Sequence, residues 1–519
     1  LSSNGIYYSV SSGKITLSGV TGTVIVTELE SVPGFTIDPD SQSQTVTINP
    51  NDTQTLRFYN NAVGGVEMYF FPSTESDEAK VARRRVEEQR HRRTSQAGTL
   101  VLVNVCQALL FLQVFLTAQA EDRLPMGVAF GGLALLSWVL YGIYRAAQRS
   151  AYELESLVFL LISIGAAVTA AYEPASLYKL LITVVMGMVL FLAMSGVLRD
   201  LHLSIRARWP VAIAAGALLA FNVVLGERIF GAKNWISIGP LSFQPSELVK
   251  IAFILAGAAT LDRLFAKRNL VFTILFSAYC VGCLALMSDF GTALIFFVAF
   301  LCIAFLRTGD LPSIAMMVAA AAFGCGIILR FKPYIADRFA AWRHAWDYAQ
   351  DIGYQQTRTM SAMASGGLFG VGPKDGWLKY VGAANTDLVF GVVGEEFGFL
   401  LALCCVAALV IPIVFTLRCA AAARSSFYTI LSCATAAMLV CQMALNVLGA
   451  VDLLPLTGVT FPFVSMGGSS MISCWGLMAY LKAADTRQNA SFALRLSKLA
   501  PQQQEKKAAP APKARPKAP

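Results

Sequence analysis

FKPYIADRFAAWRHAWDYAQDIGYQQTRTMSAMASGGLFGVGPKDGWLKYVGAANTDLVF, residues 331 to 390, is the one long polar stretch inside an otherwise apolar chain. A loop of this length between hydrophobic spans is usually functional or disordered. Its composition argues for function. Trp342, Trp346 and Trp377 stand among Tyr334, Tyr348, Tyr354 and Tyr380, the amphipathic rings that settle at headgroup level. Lys332, Arg338, Arg343, Arg358, Lys374 and Lys379 are interleaved with them, and Gly366, Gly367, Gly370 and Gly372 let the backbone approach a ligand closely. The stretch closes on Asn385-Thr386-Asp387, where the next apolar run begins. Cations, aromatics and a carboxylate at a membrane edge point to an anionic, lipid-linked ligand.

On either side of this stretch the chain is apolar. Of 519 residues 56% are hydrophobic and 14% charged, which excludes an ordinary soluble protein and predicts an all-α polytopic membrane protein. Runs long enough to cross a bilayer as helices, roughly 17 to 25 residues each, occupy 98–119, 125–144, 154–172, 178–197, 210–225, 246–265, 270–288, 291–306, 311–330, 388–416, 426–449 and 467–482. That gives about twelve spans. The 11 cysteines are scattered singly through these runs, so neither a disulfide framework nor a zinc site is expected. Cys280 and Cys283 have metal-pair spacing but no further ligands nearby, and read as small packing residues. The three histidines, His91, His202 and His344, are too far apart in sequence to suggest a triad.

The domain plan follows from composition. Residues 1–71 alternate, as in Thr23-Val24-Ile25-Val26-Thr27, between turn signals such as Pro33-Gly34 and Asn49-Pro50-Asn51-Asp52. They predict a small N-terminal β-sandwich-like accessory fragment. With Leu1 in place of a methionine and no signal peptide ahead of it, this fragment reads as an added or misjoined piece without catalytic residues. Residues 72–97 are a basic linker, 98–144 two transmembrane helices, 145–490 the main membrane domain with its large outer loop 331–387, and 491–519 a disordered basic tail. Basic residues set orientation. The run Arg83 to Arg93 and the alternate short loops carrying Arg145, Arg199, Arg263, Arg307 and Arg418 all fall on one side if both termini are cytoplasmic. This places loop 331–387 outside, where its surplus cations serve a ligand instead of setting topology.

Further polar residues cluster at the same membrane edge. Glu247 and Lys250, three apart on one helix face, either staple helices together or border a polar cavity. Lys233 precedes them. Glu395 and Glu396, counted from Asp387 at about 1.5 Å per residue, are expected roughly 12 Å into a span. Intramembrane carboxylates are functional candidates. Asp289 or Ser288 reads as a helix N-cap. Pro455 to Ser470 combines prolines with Ser465, Gly467, Gly468 and Ser469, and reads either as a ligand-approaching loop or as a re-entrant turn.

Five of these strings resemble, in order, the signature segments of the shape, elongation, division and sporulation family that includes FtsW, RodA and SpoVE. They are Gly231 to Lys250, Gly366 to Gly370, Asn385 to Phe390, Gly394 to Gly398 and Pro455 to Ser470. The resemblance spans roughly residues 154–490. It implies a peptidoglycan glycosyltransferase that polymerises lipid II on the outer face of the bacterial cytoplasmic membrane, with a class B penicillin-binding protein as partner and no nucleic acid. It makes Asp387 the essential loop carboxylate and sets Glu247 and Lys250 on the polar pair of a central cavity. Lys233, Arg338, Arg358, Gly366, Gly367, Glu395, Glu396, Ser465, Gly467, Gly468 and Ser469 complete the expected substrate-binding set. The family commonly has His at the position of Asn385, Arg at that of Asn234, and about ten spans. Residues 1–71 separately resemble the tail of a Cna-B or SpaA-type surface-protein repeat.

The chemistry is consistent with that class. Joining two sugars needs a base to take a proton from the acceptor hydroxyl and cations to stabilise the departing pyrophosphate, with room for a divalent cation, Mg or Mn. A lipid II flippase using the same cavity, and a scaffold that only recruits the penicillin-binding protein, are the competing readings.

Overall fold

The structure, a computed structural model, describes residues 22–27, 35–37, 43–48, 60–62, 96–147, 151–229, 232–238, 241–261, 267–331, 333–420 and 426–484. The basic run from Arg83 to Arg93, Arg263, Lys332 and the tail after Ala484 lie outside these residues. In the N-terminal unit the alternating segments are strands: β1 (Gly22–Thr27), β2 (Phe35–Ile37), β3 (Ser43–Ile48) and β4 (Asn60–Ala62). They form two antiparallel ribbons, β1 with β3 and β2 with β4. Thr23 and Thr47 pair across the first, hydroxyl to hydroxyl at 3.1 Å.

The remainder is a helical membrane body. Its first six helices are α1 (Gln96–Leu116), α2 (Arg123–Ala146), α3 (Glu153–Tyr172), α4 (Leu177–Val197), the short α5 (Leu201–Arg206) and α6 (Arg208–Leu225). After a small sheet come α7 (Pro245–Leu261), α8 (Lys267–Leu286), α9 (Phe290–Thr308) and α10 (Leu311–Phe331). The long loop holds α11 (Pro333–Ala341), α12 (Tyr354–Gly366) and the single turn α13 (Val389–Val392). The chain closes with α14 (Phe399–Ala420), α15 (Ser426–Ala450) and α16 (Gly468–Ala483). Among the described residues eight helices are long and apolar enough to cross a membrane: α1, α2, α3, α4, α6, α9, α14 and α15. The other four expected runs are helices α7, α8, α10 and α16.

Leu102, Leu109 and Leu116 on α1 and Ile182 and Val189 on α4 are exposed, as lipid-facing side chains are. α3 and α16 are buried nearly all round, the mark of a central helix. Trp475 on α16 is fully buried, with the rings of Phe159, Phe191 and Phe463 5.7, 5.5 and 6.1 Å away. The indole also takes up the space beside Gly187 on α4, where a Cβ would stand 2.4 Å from it.

Two features depart from the expected plan. Three strands, β5 (Glu227–Ile229), β6 (Ala232–Ile238) and β7 (Leu241–Phe243), form an antiparallel meander, with Ile236 opposite Phe243 and Ser237 opposite Ser242. The run expected as one span from 388 is broken. α13 passes into a π-turn (Val393–Phe397), Gly398 adopts φ 92°, and the continuous helix starts only at Phe399.

Candidate functional site

Asp387 lies in the long loop, ahead of the span, and is held mainly through its backbone. Its N–H donates to the Ala383 carbonyl at 2.9 Å. Its carbonyl accepts from Asn446 Nδ2 on α15 at 2.9 Å, and the same amide donates to the Val459 carbonyl at 2.7 Å. The Ser465 hydroxyl donates to the neighbouring Thr386 carbonyl at 2.6 Å and accepts from the Phe461 N–H at 2.7 Å, while the Met466 N–H donates to the Asn385 carbonyl at 3.0 Å. The Pro455–Ser470 loop is thereby sewn to Asn385-Thr386-Asp387, which two sequence motifs far apart in the chain did not reveal. Gly458, at φ 68°, leaves room for the carboxylate: a Cβ there would stand 3.2 Å from Asp387 Oδ2.

The surroundings of that carboxyl are mixed. Burial is the main cause of its rise to about 6, and Asp289 adds to it. The Thr386 hydrogen bond and the Arg338 guanidinium pull the other way. Arg338 is positioned by donating from Nη1 to the Leu456 carbonyl at 2.7 Å. Asp289 caps α9 as expected, Oδ1 accepting from the Thr292 N–H at 3.2 Å. Its other oxygen does more, accepting from Asn234 Nδ2 and Gln244 Nε2, each at 2.9 Å. The meander presents Asn234, and Gln244 directly follows its last strand.

A second polar layer lies deeper. Lys250, fully buried, donates to Glu247 Oε1 at 2.8 Å and to Gln442 Oε1 at 3.0 Å. Gln442 in turn donates to the Thr460 carbonyl and hydroxyl at 3.1 and 3.0 Å, and that hydroxyl meets Ser470 Oγ at 2.8 Å. Ser469 Oγ accepts from the Gln244 N–H at 3.4 Å, and Gly467 precedes Gly468 at the start of α16, which packs against α7. A network therefore runs from the Glu247–Lys250 pair through α15 to the loop that holds Asp387. Glu247 Oε2, Ser246 Oγ, Asn234 Oδ1, Asn446 Oδ1 and Thr457 Oγ1, on the same elements, are buried without a hydrogen-bond partner among the described residues. Buried polar groups are ordinarily hydrogen-bonded, so these atoms leave this interior with polar capacity that its own side chains do not use. Gln442 and Asn446 were missed in the sequence, although two amides four apart in an apolar run are themselves a signal.

Other expected site residues have structural occupations. Lys233 donates to the Val223 and Val224 carbonyls, both at 2.9 Å, closing the end of α6. Arg358 stacks its guanidinium 5.2 Å from the Tyr354 ring. Glu395 and Glu396 are not 12 Å into a span, because the helix they were counted along is interrupted; both are buried in the π-turn that precedes it. Glu395 accepts from the Trp377 and Leu378 N–H groups at 2.8 and 3.0 Å. Gly366 and Gly367 pack against this turn. A Cβ at Gly366 would lie 2.2 Å from the Gly394 carbonyl oxygen, and the Gly367 carbonyl accepts from the Phe399 N–H at 3.0 Å. The two glycine-rich motifs are one interlocked unit.

The family model FTSW_RODA_SPOVE, described as a cell cycle protein, matches residues 147–490. This chain belongs to the FtsW/RodA/SpoVE family. The match takes in α3 to α16 and leaves the α1–α2 hairpin outside. Among its relatives in this family is a protein of Saccharophagus degradans named "Probable peptidoglycan glycosyltransferase FtsW", 28% identical over 366 residues, or 66% of this chain and 93% of that protein. "Peptidoglycan glycosyltransferase RodA" of Mycobacterium leprae is 30% identical over 336 residues, 60% of this chain and 70% of its own. The family fold appears in a solved chain from "Structural coordination of polymerization and crosslinking by a peptidoglycan synthase complex", with TM-score 0.55 and 26% identity over 65% of this chain and 98% of that one.

Proposed function

We propose that this chain is a peptidoglycan glycosyltransferase that polymerises lipid II, and that Asp387 is its general base. The observation that carries the reading is the setting of Asp387. It is a loop carboxylate beside a membrane body, tied through Asn446 and Ser465 to two other motif segments, with Arg338 close enough to affect its ionisation. In this mechanism Asp387 takes the proton of the acceptor hydroxyl as its oxygen bonds to the anomeric carbon of the donor sugar. The bond from that carbon to the phosphate oxygen breaks, and the pyrophosphate leaves with the electron pair, its charge met by cations. We assign substrate contact to Glu247, Lys250, Arg338, Arg358, Gly467, Gly468 and Ser469. Positioning falls to Lys233, Gly366, Gly367, Glu395, Glu396 and Ser465.

A divalent cation fits this site only in company with the substrate. Among the described residues no group of three or more His, Cys, Asp or Glu gathers, and Asp289 already accepts from three donors. With substrate phosphate present, Asp387 would be the residue to hold Mg or Mn, and the ion would supply charge neutralisation.

The chain is a multi-pass membrane protein. In the full reading it makes about twelve spans in the bacterial cytoplasmic membrane, with both termini cytoplasmic, loop 331–387 outside and a class B penicillin-binding protein as the crosslinking partner. Residues 1–71 are a β-sandwich-like accessory fragment in this reading. Purified chain given labelled lipid II, with the penicillin-binding protein present, is expected to yield glycan strands on a gel. Lipid II crossing vesicles without strand formation would establish the flippase instead. Trp377→Cys in a cysteine-free background is expected to react with an impermeant maleimide from outside intact cells; labelling only after permeabilisation would invert the topology.

A further inference from the structure

The α1–α2 hairpin precedes the family-matched segment. It is nevertheless fastened at both ends. At one end of the bundle the Tyr144 hydroxyl of α2 donates to Glu155 Oε1 at 2.7 Å, and the fully buried Glu155 is paired with Lys482 of α16 at 3.1 Å. Along its length Gln107 of α1 donates to the Phe130 carbonyl of α2 at 2.8 Å. Gly132 of α2 sits against Leu181 of α4, where a Cβ would come within 2.9 Å of that side chain. At the opposite end stands Asp122, in the turn between the two helices.

Asp122 occupies the N-cap position of α2, yet its side chain makes no capping bond. It accepts instead from Lys374 Nζ at 2.8 Å, with both side chains about three-quarters covered. Lys374 is a junction of the long loop. It holds φ 71°, a conformation few non-glycine residues adopt. Its N–H donates to the Glu396 carboxylate and its carbonyl accepts from the Lys379 ammonium. Glu396 belongs to the π-turn that follows α13, whose first residue is two positions after Asp387, and its neighbour Glu395 holds the Trp377 and Leu378 amides.

We infer that the α1–α2 hairpin is a positioning element for the long loop, with Asp122 acting through Lys374 and the Glu395–Glu396 turn on the segment that carries Asp387. A fixed membrane hairpin supplies the anchor, and one ion pair transmits it to the loop. The consequence for turnover rests on the glycosyltransferase reading; the consequence for loop order does not.

The test uses the full chain in lipid nanodiscs and two readouts. Hydrogen exchange at the Trp377 and Leu378 amides is expected to quicken about five-fold in Asp122→Asn and about ten-fold in Asp122→Lys, as loss and then reversal of a partly exposed pair would allow. The double variant Asp122→Lys with Lys374→Asp is expected to return within about two-fold of the unaltered chain, since Asp tolerates a positive φ. In lipid II polymerisation the single variants should lower kcat by a similar factor with KM unchanged, and the double variant should recover. Should Asp122→Lys fail to insert, the Asp122→Asn comparison decides alone. Exchange unchanged in Asp122→Asn, a double variant no better than Asp122→Lys, or a rise in KM with kcat intact would each overturn the inference. If no form polymerises lipid II while exchange follows the expected order, the anchoring stands and the glycosyltransferase reading fails.

Discussion

Asp387→Asn is expected to lower lipid II polymerisation by about 10² to 10⁴, the usual cost of deleting a general base, while the protein still folds and binds lipid II. Asn keeps the size and polarity of the side chain but cannot take a proton at neutral pH. The backbone bonds from Asn446 and within Ala383–Asp387 do not depend on the carboxylate, so the loop should keep its shape. The pH dependence has a definite sign. Burial raises the carboxyl to about 6, so the ionised base is populated above that value and the rate should fall as pH drops through it. For stability the direction is opposite. The raised carboxyl favours the folded state fully below its ordinary value near 3.8, and that contribution is lost as pH rises through about 6. At pH 7 the Asn variant should therefore melt no lower than the unaltered protein. Turnover close to that of the unaltered protein in the Asn variant would remove Asp387 from the base role.

Lys250→Ala should have the largest effect on stability. It leaves Glu247, 4% exposed, without its cation and Gln442 Oε1 without its donor. Breaking a buried pair from one side costs about 3–5 kcal/mol, which should appear as poor insertion or a sharply lowered thermal midpoint. Replacing both partners, Glu247→Gln with Lys250→Met, should recover most of that stability because no charge is stranded. A double variant that folds normally yet polymerises nothing would assign the pair to turnover. One that folds and polymerises at the original rate would reduce it to a helix staple.

The fold was legible where physics is local and repetitive. Hydrophobic runs gave helices with ends within a few residues, because a bilayer leaves the backbone little choice. The error at Leu388 came from treating apolar content as continuity. Gly394 and Gly398 allow a tight turn, and the amides of Trp377 and Leu378 draw Glu395 into the loop, contacts that no helical count contains. The meander was overlooked although Trp235-Ile236-Ser237-Ile238 followed by Gly239-Pro240 has strand and turn character. Its significance, presenting Asn234 to Asp289 with Gln244 just beyond its last strand, depends on contacts 55 and 45 residues apart. Motif order pointed to Asp387, Glu247 and Lys250. It could not show that Ser465 serves the position of Asp387, because that bond joins the ends of two loops separated by α14 and α15.

The Asn446 amide has one more consequence. It lies four residues before the end of α15, about 6 Å along the helix axis, so the Asp387 backbone is moored little more than one turn from where that helix stops. In the proposed reaction, a sugar attached to a lipid carrier would then meet Asp387 with its tail still dissolved in the bilayer. Each methylene that had to be drawn into water to reach a higher site would cost about 0.8 kcal/mol. Four such groups would use up more than 3 kcal/mol, over two powers of ten in the population of reachable substrate. Under that proposal, the mooring at the helix end would keep the carrier where it is soluble throughout the reaction.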